Sequence, residues 1–241
     1  MRLRCGTSGW QYADWRDVLY PAGLPQSSWL PTYADAFDTV ELNGSFYRLA
    51  KRETFEKWAG LVPNGFTMAV KASRFLTHVR RLAEPEEPVA RLMTSASGLG
   101  DRLGPVLLQL PPNLPVDVDR LDACLAEFPP GSRVAVEPRH PSWWVGEVRS
   151  VLESRGAALC WADRLGRPVT PLWRTTGWAY LRLHRGRGGA GWSYGRTALR
   201  SWLGRLGEAF PSDEEAFVYF NNDPGGAAVR DALQLRRVAT S

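Results

Sequence analysis

The sequence is poor in cysteine and has no long apolar run. Its 3 cysteines, Cys5, Cys124 and Cys160, are scattered among apolar neighbours and show neither C-x-x-C pairing nor the spacing of zinc ligands. We therefore expect buried free thiols and a reducing compartment. No stretch approaches the roughly 20 apolar residues that span a bilayer. No apolar segment follows Met1–Arg4, so we expect no membrane span, no secretion signal and a cytoplasmic location.

Nucleotide-binding motifs are missing as well. Neither G-x-x-x-x-G-K-[ST] nor G-x-G-x-x-G occurs, so we expect neither a P-loop nor a dinucleotide fold, and no nucleotide cofactor. Lysine is scarce and stands only at Lys51, Lys57 and Lys71, while arginine supplies the rest of the basic charge behind a net charge of +5. Without a lysine-rich tail or a basic amphipathic helix, this charge permits an anionic partner, nucleic acid included, but identifies none.

Short apolar runs recur along the chain, each of a length suited to a strand buried on both faces. The eight runs are 3–9, 39–47, 67–74, 104–111, 133–139, 157–163, 178–185 and 215–223. Segments with helical spacing of apolar residues lie between most of them. These segments are 29–37, 53–61, 85–103, 118–128, 145–155, 197–210 and 227–235. No convincing helix lies between the sixth and seventh runs.

This alternation of strands and helices predicts an α/β protein with a parallel sheet, and eight repeats predict closure into a barrel. We therefore expect one TIM-type (β/α)₈ barrel over residues 1–241, as a single domain, which lacks a regular helix after strand six. Because that link is weak, an open doubly wound sheet is the structural alternative.

Ionisable and amide side chains concentrate where the predicted strands end, and all 3 histidines are among them. Barrel enzymes build their sites from these carboxyl ends and the loops that follow. The candidate residues are Glu41, Asn43, Tyr47, Lys71, His78, Gln109, Glu137, Arg139, His140, Asp163, Arg182, His184, Tyr194, Asn221 and Asn222. The alternative interpretation is a structural ion-pair cluster that closes the barrel, but a fold needing only stability would place apolar side chains there.

Two loops and several tryptophans add to this end of the predicted barrel. The glycines of 185–189 and 224–226 offer backbone N–H groups to an anion, as loops seven and eight of barrels often do; the alternative is that they only form tight turns. Of the 11 tryptophans, those near the loops either contact a ligand or plug the barrel mouth. These are Trp10, Trp15, Trp143, Trp144 and Trp192, while Trp29, Trp58, Trp161, Trp178 and Trp202 fit the core better.

The motifs in this order resemble the YecE-like family, a domain of unknown function. They are 6–10 (GTSGW) with 14–15, 40–43 (VELN) with 45–47, 70–72 with 77–78, 107–112, 136–143 (VEPRHPSW), 162–163, 181–184 (LRLH), 193–194 and 218–223 (VYFNND). The resemblance covers nearly the whole chain and implies a TIM-type barrel, but it implies no reaction. Pro138 and Gly44 depart from the residues more usual in the family.

Our leading functional hypothesis is an enzyme acting by general acid–base chemistry on a small anionic ligand, phosphorylated or sugar-like. In it, Glu41 and Glu137 form the acid/base pair, and Lys71 and His184 tune or share proton transfer. Arg139 and Arg182 clamp the anion, and the remaining candidates orient it; the amides of this group are Gln109, Asn221 and Asn222.

Two alternatives stay open at this stage. The first is a hydrolase or isomerase in which a divalent metal ion is bound by Glu41, Glu137, Asp163 and His184. Against it, neighbouring cations already balance those acids. The second is a non-catalytic binder of nucleic acid or of a phosphorylated metabolite. The sequence does not distinguish a monomer from a homo-oligomer.

Overall fold

The computed structural model of the chain describes residues 1–189, 192–211 and 213–240. Its strands are β1 (Arg2–Thr7), β2 (Thr39–Leu42), β3 (Thr67–Lys71), β4 (Leu103–Gln109), β5 (Val134–Glu137), β6 (Ala158–Leu159), β7 (Trp161–Arg164), β8 (Arg167–Pro168), β9 (Trp178–Leu183) and β10 (Glu215–Phe220). Its α-helices are α1 (Trp29–Ala36), α2 (Gly44–Tyr47), α3 (Arg52–Ala59), α4 (Glu86–Ala96), α5 (Val118–Ala126), α6 (Gly146–Ser154), α7 (Arg196–Ala209) and α8 (Ala227–Ala239).

The strands pair in two series that join into a barrel. One series runs β1-β10-β9-β7-β8 and the other β2-β3-β4-β5-β6, and every pair except the β7–β8 hairpin is parallel. β6 and β7 are two halves of one extended segment interrupted at Cys160, and the first half pairs with β5 while the second pairs with β9. At the other junction, Gly9 N donates to Glu41 O over 2.8 Å beside a parallel bridge between Ser8 and Glu41. The predicted TIM-type barrel is thereby confirmed.

The junction between β1 and β2 requires a glycine. A Cβ atom on Gly6 would lie 2.1 Å from the carbonyl oxygen of Thr39, so only a residue without a side chain allows the two strands to approach. The hydroxyl of Tyr33 fills the neighbouring space: it accepts from Thr7 N at 2.9 Å and donates to Thr39 O at 3.0 Å. Helix α1, which carries Tyr33, is thus fixed to both strands.

The predicted absence of a helix between strand six and strand seven is confirmed. The chain instead forms the β7–β8 hairpin, whose turn uses positive φ at Leu165 (57°) and Gly166 (71°). Threonine side chains then bond back to the strand-six segment. Thr170 Oγ1 accepts from Ala162 N at 3.0 Å, and Thr175 Oγ1 accepts from Leu159 N at 2.9 Å.

Several strands end earlier than the apolar runs predicted. β2 ends at Leu42, and the short helix α2 follows at once, so Tyr47 is helical rather than part of a strand. β5 ends at Glu137 because Pro138 has no N–H group for the sheet. The predicted helix 85–103 divides into α4 and a 3₁₀ turn that ends at Arg102. Helix α5 begins at a capping residue, since Asp117 Oδ1 accepts from Arg120 N at 3.0 Å.

Two expectations from composition are also answered. The three cysteines are free and buried, as predicted. No helix among the described residues combines the length and apolar character needed to cross a membrane.

The barrel interior is layered, and this layering positions the site. Successive inward-facing positions on a strand are two residues apart. The apolar layer consists of Ala69, Leu107, Ala135, Ala158, Cys160, Tyr180, Phe217 and Tyr219. Two residues closer to the carboxyl ends, the same faces carry polar side chains; on β3, β4, β5 and β9 these are Lys71, Gln109, Glu137 and Arg182. The sequence therefore places a polar layer directly above the apolar one.

Candidate active site

A buried arginine lies at the centre of the polar layer. The guanidinium of Arg182, on β9, is 1% exposed and lies between two buried carboxylates. Its Nε and Nη2 donate to Glu41 at 3.0 and 2.8 Å, and its Nη1 donates to Glu137 at 2.7 Å. Together the three side chains form what we call the Arg182 cluster. Both glutamates reach this arginine because the parallel strands β2 and β5 have their carboxyl ends at the same mouth of the barrel.

Glu41 has no free hydrogen-bonding position. Besides the two bonds from Arg182, its Oε1 accepts from Ser8 Oγ and its Oε2 accepts from Tyr180 Oη, each at 2.7 Å. Burial alone would raise the pKa of Glu41, but Arg182, with further help from Lys71 and the Tyr180 hydroxyl, lowers it below its ordinary value. Glu41 is therefore a fixed anion at neutral pH.

Glu137 is equally occupied. Its Oε2 accepts from Gln109 Nε2 at 2.9 Å in addition to Arg182, and its Oε1 lies 3.0 Å from His184 Nε2 and 3.3 Å from Arg139 Nε. Burial would raise the pKa of Glu137, yet the charge of Arg182, the hydrogen bond from His184 and the charge of Arg139 hold it well below its usual range. Neither glutamate titrates near neutrality, which favours a fixed electrostatic role over proton transfer.

His184 is held from both sides by its ring nitrogens. Because a carboxylate only accepts, Nε2 carries a proton toward Glu137, and Nδ1 accepts from Asn221 Nδ2 at 3.0 Å. Burial lowers the pKa of His184, and Glu137 offsets this only in part, so the ring is neutral at neutral pH. The imidazole thus links the amide of Asn221 to the Arg182 cluster.

Lys71 differs from Arg182 because it has no carboxylate partner among the described residues. Its side chain is buried, with the residue 9% exposed, and Nζ lies 4.2 Å from the ring centroid of Phe46. Nζ makes no hydrogen bond or ion pair to any residue within the described ranges. Burial first and Arg182 second lower the pKa of Lys71 to about 8, against the opposing effect of Glu41 and Glu137. Both protonation states are therefore accessible close to neutral pH.

Asp163 fixes the loop after β9. Its Oδ1 accepts from His184 N at 3.0 Å and from the Tyr194 hydroxyl, which itself accepts from Arg185 N at 2.8 Å. Burial raises the pKa of Asp163 to about 6, although hydrogen bonds from Tyr194 and from backbone N–H groups lower it in part. Asp163 and Tyr194 thus hold the residues that border the barrel mouth on this side.

A cavity of about 510 Å³ opens beside the Arg182 cluster, above β5, β7 and β9. We call it the rim cavity. Charged and polar side chains line it together with two tryptophans and several other apolar residues. The lining residues are Pro112, Glu137, Pro138, Arg139, Trp144, Ala162, Asp163, Arg164, Val169, Thr170, His184, Arg185 and Trp192.

The structure brings most of the sequence-predicted residues together but leaves some apart. Tyr47 is 83% exposed on α2, outside the cluster. His140 bonds Ser142, with Nδ1 and Oγ 2.8 Å apart, at the start of a 3₁₀ turn. Asn222 is fully buried, and its Nδ2 donates to Asp231 at 2.8 Å.

Two further candidates lie close to the mouth without joining the Arg182 cluster. The ring of His78 lies edge-on to Phe46, at 5.0 Å between centroids, and therefore borders the surroundings of Lys71. Asn43 follows β2, and its buried Oδ1 has no hydrogen-bond partner among the described residues.

Two hydroxyl donors to Glu41 were not among the candidate site residues: Tyr180, and Ser8 of the GTSGW motif at the end of the first run. Tyr180 stands two residues before Arg182 on one strand, so the two-residue period of β9 could have found it. The tryptophans nearest the loops differ in burial. Trp10, Trp15 and Trp143 are buried, whereas Trp144 and Trp192 line the rim cavity.

The alternative metal site was expected at Glu41, Glu137, Asp163 and His184. Across residues 1–189, 192–211 and 213–240, no group of three or more His, Cys, Asp or Glu side chains is arranged to hold a metal ion. Glu41 and Glu137 instead direct their oxygens at Arg182.

Comparison with known proteins gives matches over the whole chain. The family model described as "Protein of unknown function DUF72" matches residues 4–241. UPF0759 protein YunF of Bacillus subtilis (strain 168) is 27% identical over 267 residues, which cover 95% of this chain and 92% of YunF. UPF0759 protein YecE of Escherichia coli (strain K12) is 31% identical over 142 residues, which cover 54% of this chain and 52% of YecE.

A solved structure agrees with the fold. The crystal structure of a DUF72 family protein (TM1631) from Thermotoga maritima MSB8 matches with a TM-score of 0.86 and 26% sequence identity, covering 100% of both chains. The barrel described above is therefore shared with this protein along its full length.

Proposed function

Since the chain belongs to the DUF72 family of proteins of unknown function, as its motifs predict, we propose a function from the geometry of its barrel mouth. We propose that it is an enzyme that binds a small anionic substrate at the barrel mouth, with the anionic group in the rim cavity, and acts on it by general acid–base chemistry. Lys71 is the group that gives or takes the proton.

One observation carries this proposal: Lys71 is a buried, largely unpartnered amine whose pKa is about 8. A general acid or base works best when its pKa lies near the working pH, because both forms are then available. Structural cations in a barrel are paired, as Arg182 is here. An unpaired buried ammonium reduces stability, so its presence at the carboxyl ends of the strands favours a catalytic role.

The Arg182 cluster supplies fixed charge in this proposal. Glu41 and Glu137 keep their charge at neutral pH. The electrostatic field that they exert on Lys71 is therefore already in place, and no solvent has to reorganise to create it. This division of roles differs from the sequence-based hypothesis, in which the two glutamates exchange protons themselves. All four positions on each carboxylate are occupied by donors, which favours the new division.

The anion is bound by cations at the cavity rather than by Arg182. Arg182 is fully engaged by carboxylates. Within the part of the chain that the structure describes, Arg139 makes one 3.3 Å contact, through Nε, and its side chain is 39% exposed. Its two Nη groups are therefore open to a ligand. His184, fixed by Glu137 and Asn221, lines the same cavity and orients the substrate.

The test is a turnover screen of small phosphate monoesters and carboxylates, followed by Lys71 variants on any substrate that reacts. We expect Lys71→Met to lower kcat by about 100-fold or more. Lys71→Arg should lower kcat to a similar extent, because a guanidinium does not deprotonate. Lys57→Met, a change of the same type on the exposed face of α3, is the matched control and should leave kcat unchanged. Retention of kcat in Lys71→Met, with a substrate in hand, refutes the proposal.

A pH profile gives a second readout that a merely structural lysine would not move. In the wild type, kcat/KM should change with an apparent pKa of about 8, the value of Lys71. In a weakly active Lys71 variant this limb of the profile should disappear. A limb that persists in the variant assigns the proton transfer to another group.

A further inference from the structure

The rim cavity carries more positive charge than its own acids can balance. Three arginines line it: Arg139, Arg164 and Arg185. The acids among its lining residues are Glu137 and Asp163, which are 1% exposed and already accept hydrogen bonds from the protein. A ligand in the cavity therefore meets guanidinium groups before it meets carboxylates.

Two of these guanidinium groups lack a carboxylate partner among the described residues. Arg164 is exposed and forms no ion pair there. Arg185 stacks on Trp192, with its Cζ 4.7 Å from the ring centroid, and its buried Nε has no hydrogen-bond partner in the described ranges. Stacking leaves the in-plane N–H donors of a guanidinium free to bind oxygens. A buried donor without a partner is unfavourable until something accepts from it.

Arg185 is also held in place before any ligand arrives. Its backbone N donates to the hydroxyl of Tyr194, and that hydroxyl donates to Asp163. A second contact fixes the same loop, because Arg187 Nε donates to Leu165 O at 2.9 Å. This hydrogen bond joins the loop after β9 to the β7–β8 hairpin, which carries Arg164. Because the backbone that carries the two arginines is already fixed, an anion that binds to them orders fewer groups and loses less conformational entropy.

The size and walls of the cavity define the rest of the ligand. A phosphate alone fills only a small part of about 510 Å³. The remaining walls include Trp144, Trp192 and Val169, which offer flat apolar surface to a compact ring. Planar guanidinium groups match phosphate oxygens in pairs and so suit a dianion better than a single carboxylate.

We infer that the rim cavity binds a phosphate monoester of a compact organic ring such as a sugar, with the phosphate on Arg164 and Arg185 and the ring against Trp144 and Trp192. This inference rests on the proposed function and names its substrate class. The phosphate then binds far from the reacting end of the substrate. That end points toward Glu137 and His184, on the side of the barrel mouth where Lys71 interacts electrostatically with Glu137.

The test measures binding rather than turnover, by isothermal titration of three probes: inorganic phosphate, a pentose 5-phosphate and the free pentose. We expect the pentose phosphate to bind more tightly than inorganic phosphate, and the free pentose to bind most weakly. Arg164→Gln and Arg185→Gln should each weaken the binding of the pentose phosphate by about tenfold or more. Arg200→Gln, an equal change of charge on the exposed face of α7, should change it by less than about twofold.

Fluorescence offers an independent readout at the same place. Because Arg185 stacks on Trp192, phosphate binding should change the tryptophan emission, and Trp192→Phe should remove that change. Circular dichroism of each variant checks that it is folded.

Each outcome separates this inference from the proposed function. Lys71→Met should keep the pentose phosphate affinity within about threefold while losing turnover. Unchanged affinity in both Arg164→Gln and Arg185→Gln overturns the inference and leaves the role of Lys71 standing. Absence of binding for both phosphate probes at about 10 mM also overturns it. If Arg200→Gln weakens the binding of the pentose phosphate as much as Arg164→Gln and Arg185→Gln do, the effect is one of general charge, and the inference is overturned as well.

Discussion

Replacing Lys71 by methionine should make the protein more stable at neutral pH. The pKa of Lys71 is lowered from its ordinary 10.5 to about 8, chiefly by burial. The folded state therefore disfavours the ammonium, by about 3 kcal/mol at a pH below 8. Methionine carries no charge and fits a similar volume against Phe46. The cation–π contact at 4.2 Å acts on the ammonium and is therefore already contained in this folded-state pKa, so the expected gain is about 3 kcal/mol.

The pH dependence gives this prediction its sign. Because the folded-state pKa of Lys71 is depressed, its destabilising effect is present in full below about pH 8 and disappears as the pH rises toward 10.5. The advantage of Lys71→Met should therefore be largest at neutral pH and shrink steadily above pH 8. At pH values near 10.5 the two proteins should have similar free energies of unfolding.

Urea unfolding, followed by circular dichroism at neutral pH and at a pH of about 10, measures the difference. Lys57→Met, at an exposed position of α3, serves as the control and should change the free energy of unfolding by less than about 0.5 kcal/mol. A Lys71→Met protein that is less stable than the wild type at neutral pH would refute the reasoning. A difference that does not vary with pH would refute it equally.

Three other substitutions test the remaining parts of the structure by the same unfolding measurement. Arg182→Met leaves two buried carboxylates unpaired and should lower the free energy of unfolding by about 3–5 kcal/mol; a loss below about 1 kcal/mol contradicts the cluster. The pKa of Asp163 is raised to about 6, which means that the folded state favours the protonated carboxyl group. The stability that Asp163 contributes is therefore fully present when the pH is below the ordinary pKa of aspartate, and it is lost as the pH rises through about 6. Asp163→Asn should remove this pH-dependent loss of about 3 kcal/mol in the free energy of unfolding. If the pH dependence of unfolding stays unchanged in the variant, the raised pKa of Asp163 is contradicted. Gly6→Ala forces a Cβ against Thr39 O and should destabilise by about 1–3 kcal/mol, whereas a neutral effect contradicts the close approach of β1 and β2.

Much of the fold could be predicted from the period of the apolar runs. The runs that became β4 and β10 are buried strands because their apolar residues continue on both faces. The break at Cys160 could not be predicted. It arises because β5 and β9 each pair with a different half of one segment. This pairing depends on tertiary structure and leaves no pattern in the local sequence.

The sequence predicted which residues lie at the site better than it predicted which of them contact one another. Polar residues at strand ends were expected to meet, and Lys71, Glu137 and Arg182 do lie at one mouth. Which carboxylate meets which cation depends on barrel register between strands far apart in the chain, as for Arg182 and Glu41. Local sequence cannot supply it. Tyr47 was assigned to a strand end, but α2 begins after Asn43 and turns its side chain outward.

The most direct test of the proposed role of Lys71 is its own titration. The chain has only 3 lysines, so isotope labelling of lysine gives a simple NMR spectrum in which Lys71→Met identifies the signal of Lys71 by its loss. We expect that signal to titrate with a midpoint of about 8. A midpoint near the ordinary value of 10.5 would contradict the buried, proton-transferring lysine on which the proposed function rests.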